Sequence, residues 1–198
     1  NFTLSRDIWD WCSLRDARMI YASSAATYGD GDEGFEDDDS LEGLSSLRPL
    51  NAYGYSKMLF DQYAVRQSDR GQSPSQWAGL KFFNVYGPNE GHKGSMKSVV
   101  AQIWPKVAAG ETVSLFRSHR PDYADGGQMR DFVFVDDVVD IIAWLLDTPA
   151  VSGVFNAGSG QARSFLDLAK ATFAAAGKTP DIAYVDTPEV IRDRYQYF

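Results

Sequence analysis

Apolar positions along the chain alternate between short continuous runs and runs spaced three to four residues apart, the pattern of strands interleaved with helices. Ile8, Trp9, Trp11, Cys12 and Leu14 predict a moderately amphipathic helix over residues 2–14. It leads into Met19-Ile20-Tyr21, a buried strand that ends in hydroxyls at Ser23 and Ser24 and in a turn at Gly29. The polar, glycine-containing stretch 30–50 ends at Pro49 and is expected to be a loop. Asn51 is a candidate cap for a helix over 53–69, with Tyr55, Met58, Leu59, Tyr63 and Val65 as its apolar face. Residues 79–87 form the next strand, stopped by Pro88. Strand, helix and strand in this order indicate a right-handed parallel unit, whose ligands lie beyond the strand carboxyl ends. Asn84 and Val85 are then expected on the same rim as Ser24.

In the second half, Val99, Val100, Ile103 and Val107 carry helical spacing, with Pro105 expected to kink or end the helix. Residues 112–116 suit a short strand, 117–128 a loop, and 130–135 a strand from which Asp136 or Asp137 opens a helix over 138–146. Residues 153–160 suggest a strand and turn, Ser164 caps a helix over 165–176, and 182–185 is a last strand before a charged, aromatic end.

The composition is that of an ordinary globular domain, with 198 residues, 44% of them hydrophobic and 23% charged. A formal charge of −8 argues against a nucleic-acid surface, and no apolar run approaches the ~18 residues of a membrane span. Asp30 to Asp39 concentrates acidic side chains and is expected to be a solvated loop. The single cysteine, Cys12, allows neither an internal disulfide nor a zinc set, and neither histidine belongs to a metal constellation, so a soluble cytoplasmic protein is expected.

Chemistry concentrates at Tyr53 and Lys57. At ~100° per residue the two stack on one helix face, whereas Tyr55 points away. An ammonium beside a phenol favours the phenolate and allows proton exchange near neutrality, although an ordinary exposed pair would have the same spacing. Lys93, in Gly-His-Lys-Gly, suits a solvated loop lysine, and Arg130 suits an ion pair with Asp131 or Asp137.

Four segments carry a resemblance: Tyr21-Ala-Ser-Ser-Ala-Ala-Thr-Tyr-Gly29, Pro49-Leu-Asn-Ala-Tyr-Gly-Tyr-Ser-Lys57, Phe83 to Met96, and Arg130-Asp-Phe-Val-Phe-Val-Asp-Asp137. They resemble the extended short-chain dehydrogenase/reductases, the nucleotide-sugar epimerases and dehydratases. Within these, the Gly91-His-Lys-Gly-Ser-Met96 block is most similar to the branch that inverts C6 of an ADP-linked heptose. The resemblance implies an α/β fold: a Rossmann-like, doubly wound parallel sheet whose N-terminal part is missing, with a smaller C-terminal α/β substrate-binding region. Residues 1–90 would be the C-terminal half of the dinucleotide-binding domain. Residues 91–198 would mostly bind substrate, with 130–160 returning to the Rossmann sheet.

The resemblance also implies roles. Tyr53 would be the acid/base, Lys57 would hold Tyr53 and the nicotinamide ribose, Ser24 would bond the reacting oxygen, and Lys93 would be a second acid/base. Tyr53, Lys57, Val85 and Lys93 would touch NADP, or NAD. Ser24, Asn84, Ser95, Gln102, Phe116, Arg117, Ser118, His119, Arg130 and Tyr195 would line the pocket of the ADP-heptose substrate, and a homo-oligomer is expected. Ala25-Ala26 after Ser24 differ from the acidic pair usual in dehydratases. The glycine fingerprint of the family is absent, so its first strands are expected before residue 1 and further chain after Phe198. The alternatives are a UDP- or dTDP-hexose epimerase or dehydratase and a non-catalytic nucleotide-sugar-binding fragment.

Overall fold

Local capping sets most helix starts. Asn51 accepts from the Gly54 amide, Ser98 from Ala101 and Ser164 from Asp167, the last in a reciprocal capping box. The structure, a computed structural model, describes residues 1–192, so Tyr195 lies outside the described residues. By internal contacts the chain divides into two units, Asn1–Phe83 with Asp137–Gly158, and Asn84–Asp136 with Ser159–Phe198.

In the first unit, α1 (Phe2–Leu14) precedes β1 (Met19–Ser24), and a 3₁₀ turn (Ala25–Tyr28) leads to α2 (Leu41–Ser46) and α3 (Ala52–Asp69). Then come β2 (Trp77–Phe82), α5 (Val135–Asp147) and β6 (Gly153–Ala157). The sheet order is β1-β2-β6, all parallel, with Ser24 opposite Phe82 and Phe82 opposite Ala157, so the carboxyl ends align. Trp9, Cys12, Met19, Phe60, Ala64, Trp77 and Val154 form one core cluster between helices and sheet. Ala78, Leu80, Leu145 and Ala157 form another.

In the second unit, β3 (Asn84–Tyr86) pairs in parallel with β5 (Met129–Phe134), which pairs antiparallel with β7 (Ala162–Ser164). β4 (Val113–Phe116) pairs in parallel with β8 (Ile182–Val185). α4 (Val99–Ala109) and α6 (Phe165–Ala175) pack with these strands around Ile103, Val107, Val113, Leu115, Ala169 and Phe173, and α7 is Glu189–Arg192.

Several expectations change. The loop 30–50 contains α2, because Ser40 caps it and Leu44 and Leu47 are buried against Tyr28 and Met58. The acidic stretch is partly structural: Asp37 accepts from the Asn156 amide at 2.7 Å and Asp38 from the Ser40 amide at 2.8 Å. The strand expected over 79–87 is two strands in different sheets, so Asn84 and Val85 belong to the second unit rather than to the Ser24 sheet. The division by contacts falls at 83/84, with Asp137–Gly158 in the first unit. α4 runs through Pro105 to Ala109, ending at Gly110 in the left-handed region. α5 begins at Val135, directly from β5, with Asp136 and Asp137 inside its first turn. On α3, Tyr55 and Leu59 are exposed, and the buried positions are Gly54, Met58, Phe60, Asp61, Gln62 and Ala64. α3 is contacted by α1, α2, β1 and the 3₁₀ turn, which buries more than one stripe.

Gly54 is the closest of these contacts. A Cβ there would lie 2.5 Å from the Ala26 carbonyl oxygen and 2.9 Å from Pro49 Cβ. Gly54→Ala is therefore expected to cost about 1–3 kcal/mol by pushing the start of α3 off the turn that follows Ser24. A thermal melt of the variant, with no fall in Tm, would remove that account.

Candidate functional site

Ser24 is the last residue of β1 and the cap of the 3₁₀ turn: its Oγ accepts from the Ala26 amide at 3.1 Å, and its carbonyl accepts from Thr27 Oγ1 at 2.9 Å. Asn51 starts α3 so that Tyr53 falls in the first turn and Lys57 one turn later. Lys57 Nζ lies 5.6 Å from the centroid of the Tyr53 ring and donates to the Ala22 carbonyl at 2.7 Å. Tyr53 is 50% exposed. A solvent-facing phenol, an ammonium and a hydroxyl are thus fixed to one strand end and the helix beside it.

Behind them is a buried polar group. Asp61, one further turn along α3, is fully buried and accepts from Tyr21 Oη at 2.9 Å and Ser23 Oγ at 2.5 Å. Burial pushes its carboxyl up to about 6, against the two hydroxyl bonds and the charges of Lys81 and Lys57. Lys81 of β2 is also buried, 4.2 Å over the Tyr28 ring; burial lowers its pKa, and Asp61 with Asp37, Asp38 and Asp39 oppose that. Tyr28 Oη donates to Asn156 Oδ1 at 2.7 Å, and burial raises its phenol.

In the second unit, Lys93 sits in an exposed 3₁₀ segment (Glu90–Met96) that turns through left-handed Asn89 and through Gly94, φ 56°. Its Nζ lies 3.3 Å from Oε2 of Glu90, the one buried residue of that segment. Glu90 also accepts from the Gly87 amide at 3.2 Å, the Ser98 amide at 2.8 Å and Ser98 Oγ at 2.6 Å. Burial alone would raise the Glu90 carboxyl; the Ser98 hydroxyl, the Ser98 and Gly87 amides and Lys93 outweigh it and hold it at about 2. One carboxylate thereby fixes the Lys93 segment and, through Ser98, the start of α4.

Arg130 Nη1 donates to the Met129 carbonyl at 2.6 Å, and its guanidinium lies 5.7 Å from the Phe165 ring centroid. Asp131 accepts instead from the Ser159 amide and hydroxyl and the Gly160 amide, which makes Gly158-Ser-Gly160 an anchored turn. Gln102 and Phe116 line a cavity of about 190 Å³ together with Ile103, Leu115, Gln128 and Phe165. Gln102 also donates to the Lys97 carbonyl at 2.7 Å, and Ser95 is exposed. Arg117 pairs with Asp186 at 3.3 Å, Ser118 is tied to Asp125 and Arg120, and His119 is exposed. Among the described residues no cluster of His, Cys, Asp and Glu could hold a metal ion, and no helix is long and apolar enough to cross a membrane.

Sequence reasoning named Tyr53, Lys57 and Lys93 but missed Asp61 and Glu90. Asp61 continues the four-residue spacing of Tyr53 and Lys57, but the donors that allow its burial come from β1 and leave no mark in that spacing. Glu90, a lone carboxylate in a loop, had no pattern to mark it.

Known proteins supply an independent comparison. The chain is 51% identical over all 198 residues to a protein of Nitratidesulfovibrio vulgaris named ADP-L-glycero-D-manno-heptose-6-epimerase. It is 47% identical to the protein of that name from Fusobacterium nucleatum. It spans 59% and 60% of those relatives. Among solved structures it is similar to the Helicobacter pylori ADP-L-glycero-D-manno-heptose-6-epimerase, with TM-score 0.69 and 30% identity over 89% of this chain and 50% of that one. A Thermus thermophilus UDP-glucose 4-epimerase in complex with NAD matches with TM-score 0.66 and 29% identity over 91% of this chain and 56% of that one. With strands in parallel, a Ser, Tyr and Lys at one strand end, and a family profile that matches residues 1–158, the chain belongs to the NAD dependent epimerase/dehydratase family.

Proposed function

We propose that the protein containing this chain inverts C6 of the heptose in ADP-D-glycero-D-manno-heptose, giving the L-glycero form. The observation that carries this reading is the Tyr53 and Lys57 pair beside Ser24 at the β1 end. The names and full-chain identity of the relatives support the choice of sugar. A dinucleotide fits the donors at this strand end: an ammonium has three N–H groups, and Lys57 spends one on the Ala22 carbonyl, leaving others for a ribose hydroxyl. Lys57 and Tyr53, with Val85 and Lys93, would hold the cofactor, NADP in this reading. When bound, it supplies a hydride acceptor and donor for C6.

The chain's own residues move protons and orient the sugar. The Lys57 charge stabilises the phenolate from which Tyr53 Oη takes the C6 hydroxyl proton, and Ser24 Oγ donates to the resulting carbonyl oxygen. Return of hydride to the opposite face calls for a second proton carrier, and Lys93 is that group. Arg130 grips pyrophosphate oxygens through its planar fork. The cavity with Gln102 and Phe116, together with Asn84, Ser95, Arg117, Ser118 and His119, accommodates the rest of the nucleotide sugar.

The test is incubation of the full-length enzyme with the D-glycero sugar nucleotide and cofactor. The L-glycero product should form, and Lys93→Met should reduce its formation at least about 100-fold with fold and cofactor retained. An unchanged substrate with cofactor bound would sink the assignment. Conversion of UDP-glucose instead would favour the second reading suggested by the UDP-glucose 4-epimerase neighbour.

A further inference from the structure

We propose that Asp61 is a positioning residue for this site: by binding two side chains of β1 at once, its carboxylate fixes α3 against β1 and so sets Lys57, Tyr53 and Ser24 relative to one another. The inference rests on the proposed roles of those three residues.

The geometry is that of a zipper along one helix face. Tyr53, Lys57 and Asp61 follow at four-residue intervals on α3, so they form one stripe. β1 answers the lower two with consecutive residues: Tyr21 and Ser23 bond Asp61 through their hydroxyls, and Ala22, between them, bonds Lys57 through its carbonyl. Ser24 follows as the next residue of that strand. The place of Tyr21 is prepared, because Gly79 of β2 lies under its ring and any Cβ there would collide with the Tyr21 hydroxyl. A one-residue slip of α3 along β1 would break all three bonds and carry Tyr53 away from Ser24.

The two hydroxyl bonds need an ionised acid. A carboxylate accepts at both oxygens, whereas a carboxylic acid turns one oxygen into a donor, and one of the two β1 hydroxyls must then reorient or let go. The groups facing Asp61 are Tyr21 and Ser23 from β1, Lys81 from β2, Tyr28 from the 3₁₀ turn and Lys57 on its own helix. Burial holds this carboxyl near pH 6, so the tie should loosen on mild acidification.

The experiment compares kcat and KM of full-length wild type, Asp61→Asn and Tyr53→Phe between pH 5 and 9, with circular dichroism to confirm folding. Asp61→Asn is expected to lower kcat at pH 8 by about 10- to 100-fold at unchanged KM for the nucleotide sugar, as displaced reacting groups do. The acid limb of wild-type kcat near pH 6 should be absent from the variant. An unaltered kcat and acid limb in Asp61→Asn, beside an inactive Tyr53→Phe, overturns the inference alone. A fully active Tyr53→Phe overturns the underlying assignment, and the inference with it. Should Asp61→Asn not fold, Ser23→Ala removes one of the two bonds: it should lower kcat without changing KM, and an unchanged kcat overturns the proposal.

Discussion

On the proposed role of Tyr53 as proton carrier, Tyr53→Phe in the full-length protein is expected to lower turnover by about 10²- to 10⁴-fold. The fold should barely notice. The Tyr53 ring is half exposed, in the first turn of a helix whose start is held by Asn51 and by the buried Gly54, and phenylalanine keeps the ring. A stability change within about 0.5 kcal/mol is expected for such a surface position. Cofactor binding, read from the fluorescence of added NADPH, should also persist, because Lys57 stays bonded to the Ala22 carbonyl. Lys57→Met is the informative contrast: it removes the charge beside the phenol and also the tie to β1, so it should lower both turnover and cofactor affinity. A Tyr53→Phe enzyme that retains more than about a tenth of wild-type kcat would show that another group carries the proton.

The parts of this site legible in the sequence were those set by periodicity and capping. Tyr53 and Lys57 share a face because both lie in a helix whose cap, Asn51, and spacing are local properties, and Ser24 ends β1 because an apolar run gives way to hydroxyls and a glycine turn. What escaped was decided by tertiary partners. The run 79–87 holds no turn signal, yet the chain changes sheets at Phe83, whose amide bonds Ala157 of β6. α2 is six residues long, too short for a periodic signal, and rests on the burial of Leu44 and Leu47. Tyr55 and Leu59 looked like core positions by their chemistry and are exposed, whereas Asp61, a charged residue, is fully buried. Burial of a carboxylate depends on donors that come from β1, and no helix pattern on α3 can announce them. Glu90 escaped for a different reason: its partners are local, three residues before, three after and eight after, but they lie in a loop with no periodicity to mark them.

These two buried carboxylates predict opposite pH dependences of stability. Burial lifts the Asp61 carboxyl from its ordinary value of 3.8 to about 6 in the fold, so between those values the native state holds a proton that the unfolded chain has released. Its contribution is complete below about pH 4 and is lost as pH rises through 6, a change of about 3 kcal/mol for a shift of roughly two units. Glu90 is lowered from 4.5 to about 2, so its contribution is present above 4.5 and is lost as pH falls through about 2, by a similar amount. Urea unfolding of wild type, Asp61→Asn and Glu90→Gln at pH 3, 4.5 and 7.5 separates them. Between pH 4.5 and 7.5 the stability of Asp61→Asn should improve relative to wild type by about 2–3 kcal/mol, while Glu90→Gln should follow wild type over that interval and improve relative to it between pH 4.5 and 3. A constant difference between Asp61→Asn and wild type from pH 4.5 to 7.5 would mean that Asp61 carries no raised pKa. Ionised Asp61 at pH 7.5 thus costs the fold stability that an amide would return. A buried charge retained at that cost is accounted for by what it holds, namely the two β1 hydroxyls on either side of the carbonyl that receives Lys57.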